Sequence, residues 1–196
     1  MEFSKHPLPV LTTPFIGPDL SAFQDAQHVS TFTTEEQKKI EMDIRAMLVH
    51  LRKNEIVHRD IKPKNILFSR REQRAVLIDF GLSCMDGESD PDAHYGTPCF
   101  LPPEISIGAR RSYGGDMWAM GVVLLFVRKY IKGKFTTWNL KKDAVGFVKH
   151  VKWLQEIERH RRHLPSHSVV RRMLELKPSE RIRAEDLSGD RHMLHA

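Results

Sequence analysis

Cysteine is scarce in this 196-residue chain: there are two, Cys84 and Cys99, and no C-x-x-C spacing. That excludes a disulfide framework and a cysteine-based zinc site. It suits a reducing compartment, so an intracellular setting, cytoplasm or nucleus, is expected. Long apolar runs are lacking too. The longest, Met117 to Val127, is too short to span a bilayer and reads as a buried helix. The opening "MEFSKHPLPVLTTPFIGPD" has two prolines before residue 10 and no sustained apolar core, so no signal peptide is expected. Internal repeats and low-complexity segments are missing, which removes solenoids and disordered tails from consideration.

What is present is ordinary for one globular domain with a real core: 40% hydrophobic and 29% charged residues. The net charge of +6 favours acidic partners such as phosphates. No nucleic-acid motif accompanies it, so the charge reads as solvated helix faces. Neither nucleic acid nor a membrane is expected as a partner. The eleven histidines read mostly as surface residues without a metal role.

Along the chain, "PVLTTPF" reads as a short strand and "IGPD" as a turn. Thr33 and Glu36 have capping-box spacing. Ile40, Ile44, Met47, Leu48 and Leu51 then fall on one helical face, and the helix should end near Asn54. "NILF" and "AVLI", separated by charged residues, suggest a hairpin. Residues 83 to 115 are rich in Gly, Pro, Asp and Ser and read as a long loop. Helices are expected over 116 to 130, in broken segments over 140 to 160, at "SVVRRMLEL" and at "AEDL". The fold class is mainly α (α+β).

The chemistry concentrates in "HRDIKPKN", residues 58 to 65, and "DFG", residues 79 to 81. They flank the two strand-like runs, which places Asp60, Asn65 and Asp79 on adjacent loops. Amide and carboxylate oxygens suit Mg²⁺, which takes its other ligands from phosphates and water. A carboxylate away from the metal can orient a hydroxyl nucleophile.

Five motifs in order resemble the eukaryotic protein kinases, of the Ser/Thr type: "HRDIKPKN", "DFG", "GTPCFLPPE", "DMWAMG" and the arginine of "KPSERIRAEDL". The resemblance implies the large, C-terminal lobe over residues 33–196, with an activation segment at 79–104 and a short β-hairpin carrying the catalytic and DFG loops. It implies ATP and Mg²⁺ as cofactors and a protein substrate. Asp60 is then the base toward the acceptor hydroxyl, Lys62 lies against the γ-phosphoryl group, and Asn65 and Asp79 hold Mg²⁺. His58 packs on Phe80, Asp116 bonds the catalytic-loop backbone, and Glu104 pairs with Arg181. Lys62 together with Thr97 implies a Ser/Thr acceptor. The acidic residues Asp86, Glu88, Asp90 and Asp92, around Ser89, are expected to replace a phosphate opposite Arg59.

The same family carries a glycine-rich loop and a V-A-I-K lysine in a small lobe ahead of these motifs. No G-x-G-x-x-G or V-A-I-K-like lysine precedes Asp60. The expectation is therefore that residues 1–32 are a remnant of the last small-lobe strand, hinge and linker. On that alignment the backbone of Thr13 and Phe15 faces adenine, Asp19 lies near ribose and Leu67 forms the floor under the base. The activity of the chain alone then stays open. Either it transfers phosphate, with a partner chain completing or covering the small-lobe face, or it is a truncated, pseudokinase-like docking module without phosphotransfer.

Overall fold

A computed structural model describes residues 16–88, 97–109, 112–135, 138, 140 and 144–187. The strand read at "PVLTTPF" lies outside them, as do Thr13, Phe15, Ser89, Asp90 and Asp92.

The first helix, α1 (Thr34–Lys53), is built as its sequence dictates. The Thr33 hydroxyl accepts from the Glu36 amide, and the Glu36 carboxylate accepts from the Thr33 amide. This closes two of the orphan donors of a helix start, worth about 1 kcal/mol. Ile40, Ile44, Leu48 and Leu51 are buried along one face. The chain then makes a two-residue strand, β1 (Ile56–Val57), passes through the 3-10 turn Pro63–Asn65 and enters β2 (Ile66–Ser69).

β2 pairs antiparallel with β3 (Arg74–Leu77), with Ile66 opposite Leu77 and Phe68 opposite Ala75. α1 packs against β3. The Asp43 carboxylate accepts the Ala75 amide at 2.8 Å, so the strand's outer edge is tied to the helix. Phe23, Phe32 and Phe68 meet in tilted and edge-on contacts, with centroids 4.9–5.8 Å apart, and seal the other side of β2.

Residues 83 to 115 are more structured than the loop expected from composition. β4 (Cys84–Met85) pairs antiparallel with β1. Two 3-10 turns follow, Pro98–Phe100 and Pro103–Ile107. A strand of two residues carries no alternation to read, which is why composition hides it. The next helix, α2 (Tyr113–Val127), starts three residues before the expected 116. Gly114 and Gly115 read as breakers, yet they lie in the first turn, where the amides need no intrahelical acceptor.

α2 is apolar all round and almost wholly buried, which makes it the axis of the core. α4 (Val169–Met173) crosses it at Gly121. A Cβ there would stand 2.8 Å from the Leu174 side chain, so only glycine permits this approach. Between them in sequence runs α3 (Ala144–His163), one continuous helix where broken segments were expected. At the C-terminal "AEDL" the Leu187 amide bonds the Ala184 carbonyl, a single turn.

His150 on α3 is an exception to the mostly exposed placement expected of the histidines. It is completely buried, and neither ring nitrogen has a hydrogen-bond partner among the described residues. The Trp138 ring lies 6.1 Å away. Burial lowers its pKa from 6.5 to about 4. The unfolded chain therefore binds a proton between those values that the folded chain excludes. Stability should fall as pH drops from about 6.5 toward 4, by up to about 1.4 kcal/mol per pH unit from this group. Urea unfolding of wild type and His150→Phe across that range checks it: the substitution should flatten the decline.

Candidate functional site

The candidate site forms where β1, the 58–65 loop and the end of β3 converge under α2. Asp116, in the first turn of α2, accepts the backbone amides of His58 at 2.6 Å and Arg59 at 2.9 Å. Arg59 has φ of 69°, a left-handed conformation that non-glycine residues adopt only when held. The buried carboxylate supplies that hold. The His58 ring packs edge-on against Phe80 with centroids 4.9 Å apart, and its Nε2 lies 3.1 Å from the Ile78 carbonyl. Asp116→Ala should strand the buried His58 amide and the part-buried amide of the strained Arg59. A loss on the order of 3 kcal/mol in urea unfolding is expected, and Asp116→Asn should recover part of it.

Asp60 sits above this support, buried, with both carboxylate oxygens engaged. Oδ2 accepts from Lys62 Nζ at 2.6 Å and from the Asn65 amide nitrogen at 3.2 Å. Oδ1 accepts from the Thr97 amide at 3.3 Å and the Thr97 hydroxyl at 3.2 Å. Lys62 also donates to the Thr97 hydroxyl at 3.1 Å. Asn65 Nδ2 donates again to the Asp60 carbonyl at 2.8 Å, so its amide oxygen is the atom turned from Asp60. Asp60, Lys62, Asn65 and Thr97 thus form one connected polar cluster. Thr97 is the member that sequence reasoning did not place there. It stands 37 positions from Asp60, and nothing local signals the bond.

Asp79 joins through the backbone. The Ile78 amide donates to the Asn65 carbonyl at 2.9 Å, which extends the β2–β3 pairing by one step and sets Asp79 beside Asn65. Asp79 is exposed, has φ of 65°, and its Oδ1 accepts the Gly81 amide at 3.4 Å. An amide oxygen and an exposed carboxylate are hard donors that fit Mg²⁺ as two protein ligands. Among the described residues no group of three or more His, Cys, Asp or Glu could hold a metal ion.

Leu67 is partly buried on β2 and bridges antiparallel to Asp19. The Gly17 backbone runs so close to this strand that a Cβ there would lie 2.4 Å from the Phe68 carbonyl oxygen. The structure therefore brings Asp19 and Leu67 together. The Asp19 carboxylate caps the 3-10 turn Leu20–Ala22 by accepting the Ser21 amide at 2.8 Å.

The segment after DFG departs from expectation at two acidic residues. Asp86 faces Arg52 at 3.5 Å, and Glu88 folds back to accept the Met85 amide at 3.0 Å. Arg59 Nε donates to the Leu82 carbonyl. The reason is proximity: the β1–β4 pair sets Asp86 against the C-terminal end of α1, where the Asp86 amide also bonds the Glu55 carbonyl. Arg52 further binds Glu185 at 2.7 Å and lies 4.5 Å over the Tyr113 ring. Its hydrogen bond to Glu185 raises its own pKa and lowers that of Glu185.

Beneath the site, Arg181 and Glu104 form a buried two-pronged pair at 2.7 and 2.9 Å. Trp153 on α3 donates to the Cys99 carbonyl at 2.6 Å, bracing the turn that follows Thr97.

The sequence profile described as the protein kinase domain matches residues 15–193. This chain belongs to the protein kinase family. A calcium and calcium/calmodulin-dependent serine/threonine-protein kinase of Lilium longiflorum is 36% identical over 96 residues, covering 47% of this chain and 18% of that protein. The serine/threonine-protein kinase nekl-2 of Caenorhabditis elegans is 44% identical over 78 residues, 39% of this chain and 22% of that protein. Serine/threonine-protein kinase B of Synechocystis is 27% identical over 172 residues, 82% of this chain and 28% of that protein. The chain thus spans less than a third of the length of each. Among the described residues no helix is long and apolar enough to cross a membrane.

Proposed function

We propose that this chain carries the phosphoryl-transfer site of a Ser/Thr protein kinase, with residues 33–196 as the large lobe and 1–32 as the end of the small lobe and hinge. The observation that carries the reading is the Asp60 cluster: one buried carboxylate held by Lys62, Asn65 and Thr97 at 2.6–3.3 Å. In this reading Asp60 accepts or orients the proton of a protein Ser or Thr hydroxyl. Lys62 offsets charge developing on the γ-phosphoryl oxygens. Asn65 and Asp79 would hold Mg²⁺, which when bound neutralises charge on the transferred group. Leu67 would lie under adenine and Asp19 near ribose, with the Thr13 and Phe15 backbone toward the base. The short β2–β3 hairpin would carry both loops. Since transfer of this kind rests on position more than covalent help, the rigid support from Asp116 and α2 matters as much as the acidic group.

An acceptor-selectivity assay tests this. With Mg-ATP and peptides that differ only in Ser, Thr or Tyr, label should enter Ser and Thr. EDTA should abolish the transfer, and Asp79→Ala should reduce it by at least a hundredfold. Label confined to Tyr, or insensitive to EDTA, would overturn the reading.

A second reading, docking without transfer, is favoured by one feature. Phe80 is 45% exposed beside a groove of about 440 Å³ between α1 and β3, lined by Ala46, Met47, Leu51, Val76 and Leu77. An exposed apolar face of this kind invites a covering partner chain. Under that reading Asp60→Asn leaves function unchanged while Met47→Asp abolishes partner binding.

A further inference from the structure

The surroundings of Asp60 are unevenly charged. Asp60 engages Lys62, but the 58–65 loop carries a further lysine. Lys64 is exposed between two buried residues of the Pro63–Asn65 turn, next to Asn65 and two positions from Lys62. Among the described residues its ammonium has no partner.

A second set of cations follows α2. Residues 129–134, "KYIKGK", hold three lysines and no acidic residue. Lys129, Lys132 and Lys134 are exposed, and among the described residues their ammonium groups have no partner. Arg128, just before them, differs: it pairs with Glu41 on α1. The segment is firmly seated. The Gly133 amide donates to the His28 carbonyl at 2.7 Å, and a Cβ on Gly133 would stand 2.4 Å from the Gln24 side chain and 2.7 Å from the Phe126 ring. The Phe135 ring packs on Phe100 at 4.9 Å and on Phe126 at 5.7 Å. The Phe100 amide bonds the Thr97 carbonyl at 2.9 Å. Lys134 is therefore anchored, through its neighbour Phe135, to the turn whose first residue bonds Asp60.

The nearby acids do not cancel this charge. Asp19 and Asp25 lie on the adjoining 17–28 segment, each folded onto amides of its own turn: Ser21 at 2.8 Å for Asp19, Gln27 and Val29 at 2.9 Å for Asp25. Against these two carboxylates stand Lys64, Lys129, Lys132 and Lys134. An acceptor hydroxyl that reaches Asp60 brings its flanking residues against the 58–65 loop and the Thr97–Phe100 turn. An extended chain rises about 3.3 Å per residue, so residues two or three positions from the acceptor lie within about 10 Å of Asp60. Flexible lysine stems serve that range.

We propose that Lys64 and Lys134 determine acceptor specificity, favouring protein Ser or Thr residues flanked by acidic side chains. The inference rests on the phosphotransfer reading above for its chemistry, but the charge preference also acts on binding alone. Basic flanks are repelled by the same groups, so selection works against one class as well as for another.

The test uses the full chain and three peptides with one Ser flanked by Glu, Gln or Arg. Label transfer with Mg-ATP gives kcat/KM, and fluorescence anisotropy without ATP gives binding. The Glu peptide should exceed the Gln peptide about tenfold, mostly through KM, as for two exposed ion pairs, and added salt should shrink the gap. Lys64→Glu and Lys134→Glu should each improve use of the Arg peptide over wild type, a gain that misfolding cannot produce. Lys177→Glu makes the same charge change on an exposed residue paired with Glu180, and should leave the preference intact. No Glu preference in either readout, wild-type preference in both site variants, or an equal change from Lys177→Glu would each overturn the proposal. A binding preference without label transfer would keep it and overturn the phosphotransfer reading. Transfer without the preference would do the reverse.

Discussion

Asp60→Asn is expected to lower phosphoryl transfer on the order of 10²–10⁴-fold, with a melting temperature close to wild type. The substitution keeps shape and volume but removes the negative charge and replaces one acceptor oxygen with an NH₂ donor. The Asn side chain can still accept from Thr97. It cannot also accept from both the Lys62 ammonium and the Asn65 amide, which meet at Oδ2. The Lys62 ammonium would lose its counter-charge and swing from its 2.6 Å contact. The acceptor hydroxyl would lose its proton acceptor at the same time. Both losses fall on the reacting groups and neither on the core, so rate and stability should separate. The comparison uses initial rates of label transfer, with thermal melts of both proteins in the same buffer. A rate within fivefold of wild type would place the chemistry elsewhere.

Arg181→Ala should give the largest loss of stability, about 3–5 kcal/mol in urea unfolding. Arg181 is buried and bonds the two Glu104 oxygens, the Glu175 carbonyl at 3.0 Å and the Gly114 carbonyl at 2.6 Å, with the Trp118 ring 5.4 Å away. It joins the Pro103–Ile107 turn, the start of α2 and the stretch after α4 through one guanidinium. Removal leaves the Glu104 carboxylate buried without its charge partner. Arg181→Lys should recover little, because an ammonium cannot bond both carboxylate oxygens and two carbonyls from one plane. Combining Glu104→Leu with Arg181→Met should cost much less than either single change to Ala, since two charges then leave the interior together. If the double variant is as unstable as Arg181→Ala, the orphaned-charge explanation fails.

How legible this molecule was depends on the distance over which each feature is encoded. α1 is local. Thr33 and Glu36 announce its start, and the spacing from Ile40 to Leu51 announces its buried face. The contacts of Asp116 with the 58–59 amides, of His58 with Phe80 and of Glu104 with Arg181 join residues 22 to 77 positions apart. Periodicity has no access to them, and only the ordered motifs implied them. Where neither period nor motif spoke, the reading failed. The Cys84–Met85 strand is defined by its partner at Ile56–Val57 rather than by its own letters. His150 looks like any histidine in a basic helix, and nothing in its own letters marks its burial beside Trp138. The carboxylates around Ser89 offer only their charge as a signal toward Arg59, while the β1–β4 pairing delivers Asp86 to Arg52. Thr97 marks the acceptor type in the sequence, but its bond to Asp60 exists only where the fold brings two loops together.

The central claim is that the Asp60 cluster moves a phosphoryl group onto a Ser or Thr hydroxyl. The most direct measurement is mass spectrometry of a mixed protein acceptor after incubation with Mg-ATP and either wild type or Asp60→Asn. Phosphoserine and phosphothreonine are expected with wild type and neither with the variant. Phosphotyrosine alone, equal phosphorylation by both proteins, or no phosphorylation by a wild-type protein shown to bind Mg-ATP would contradict it.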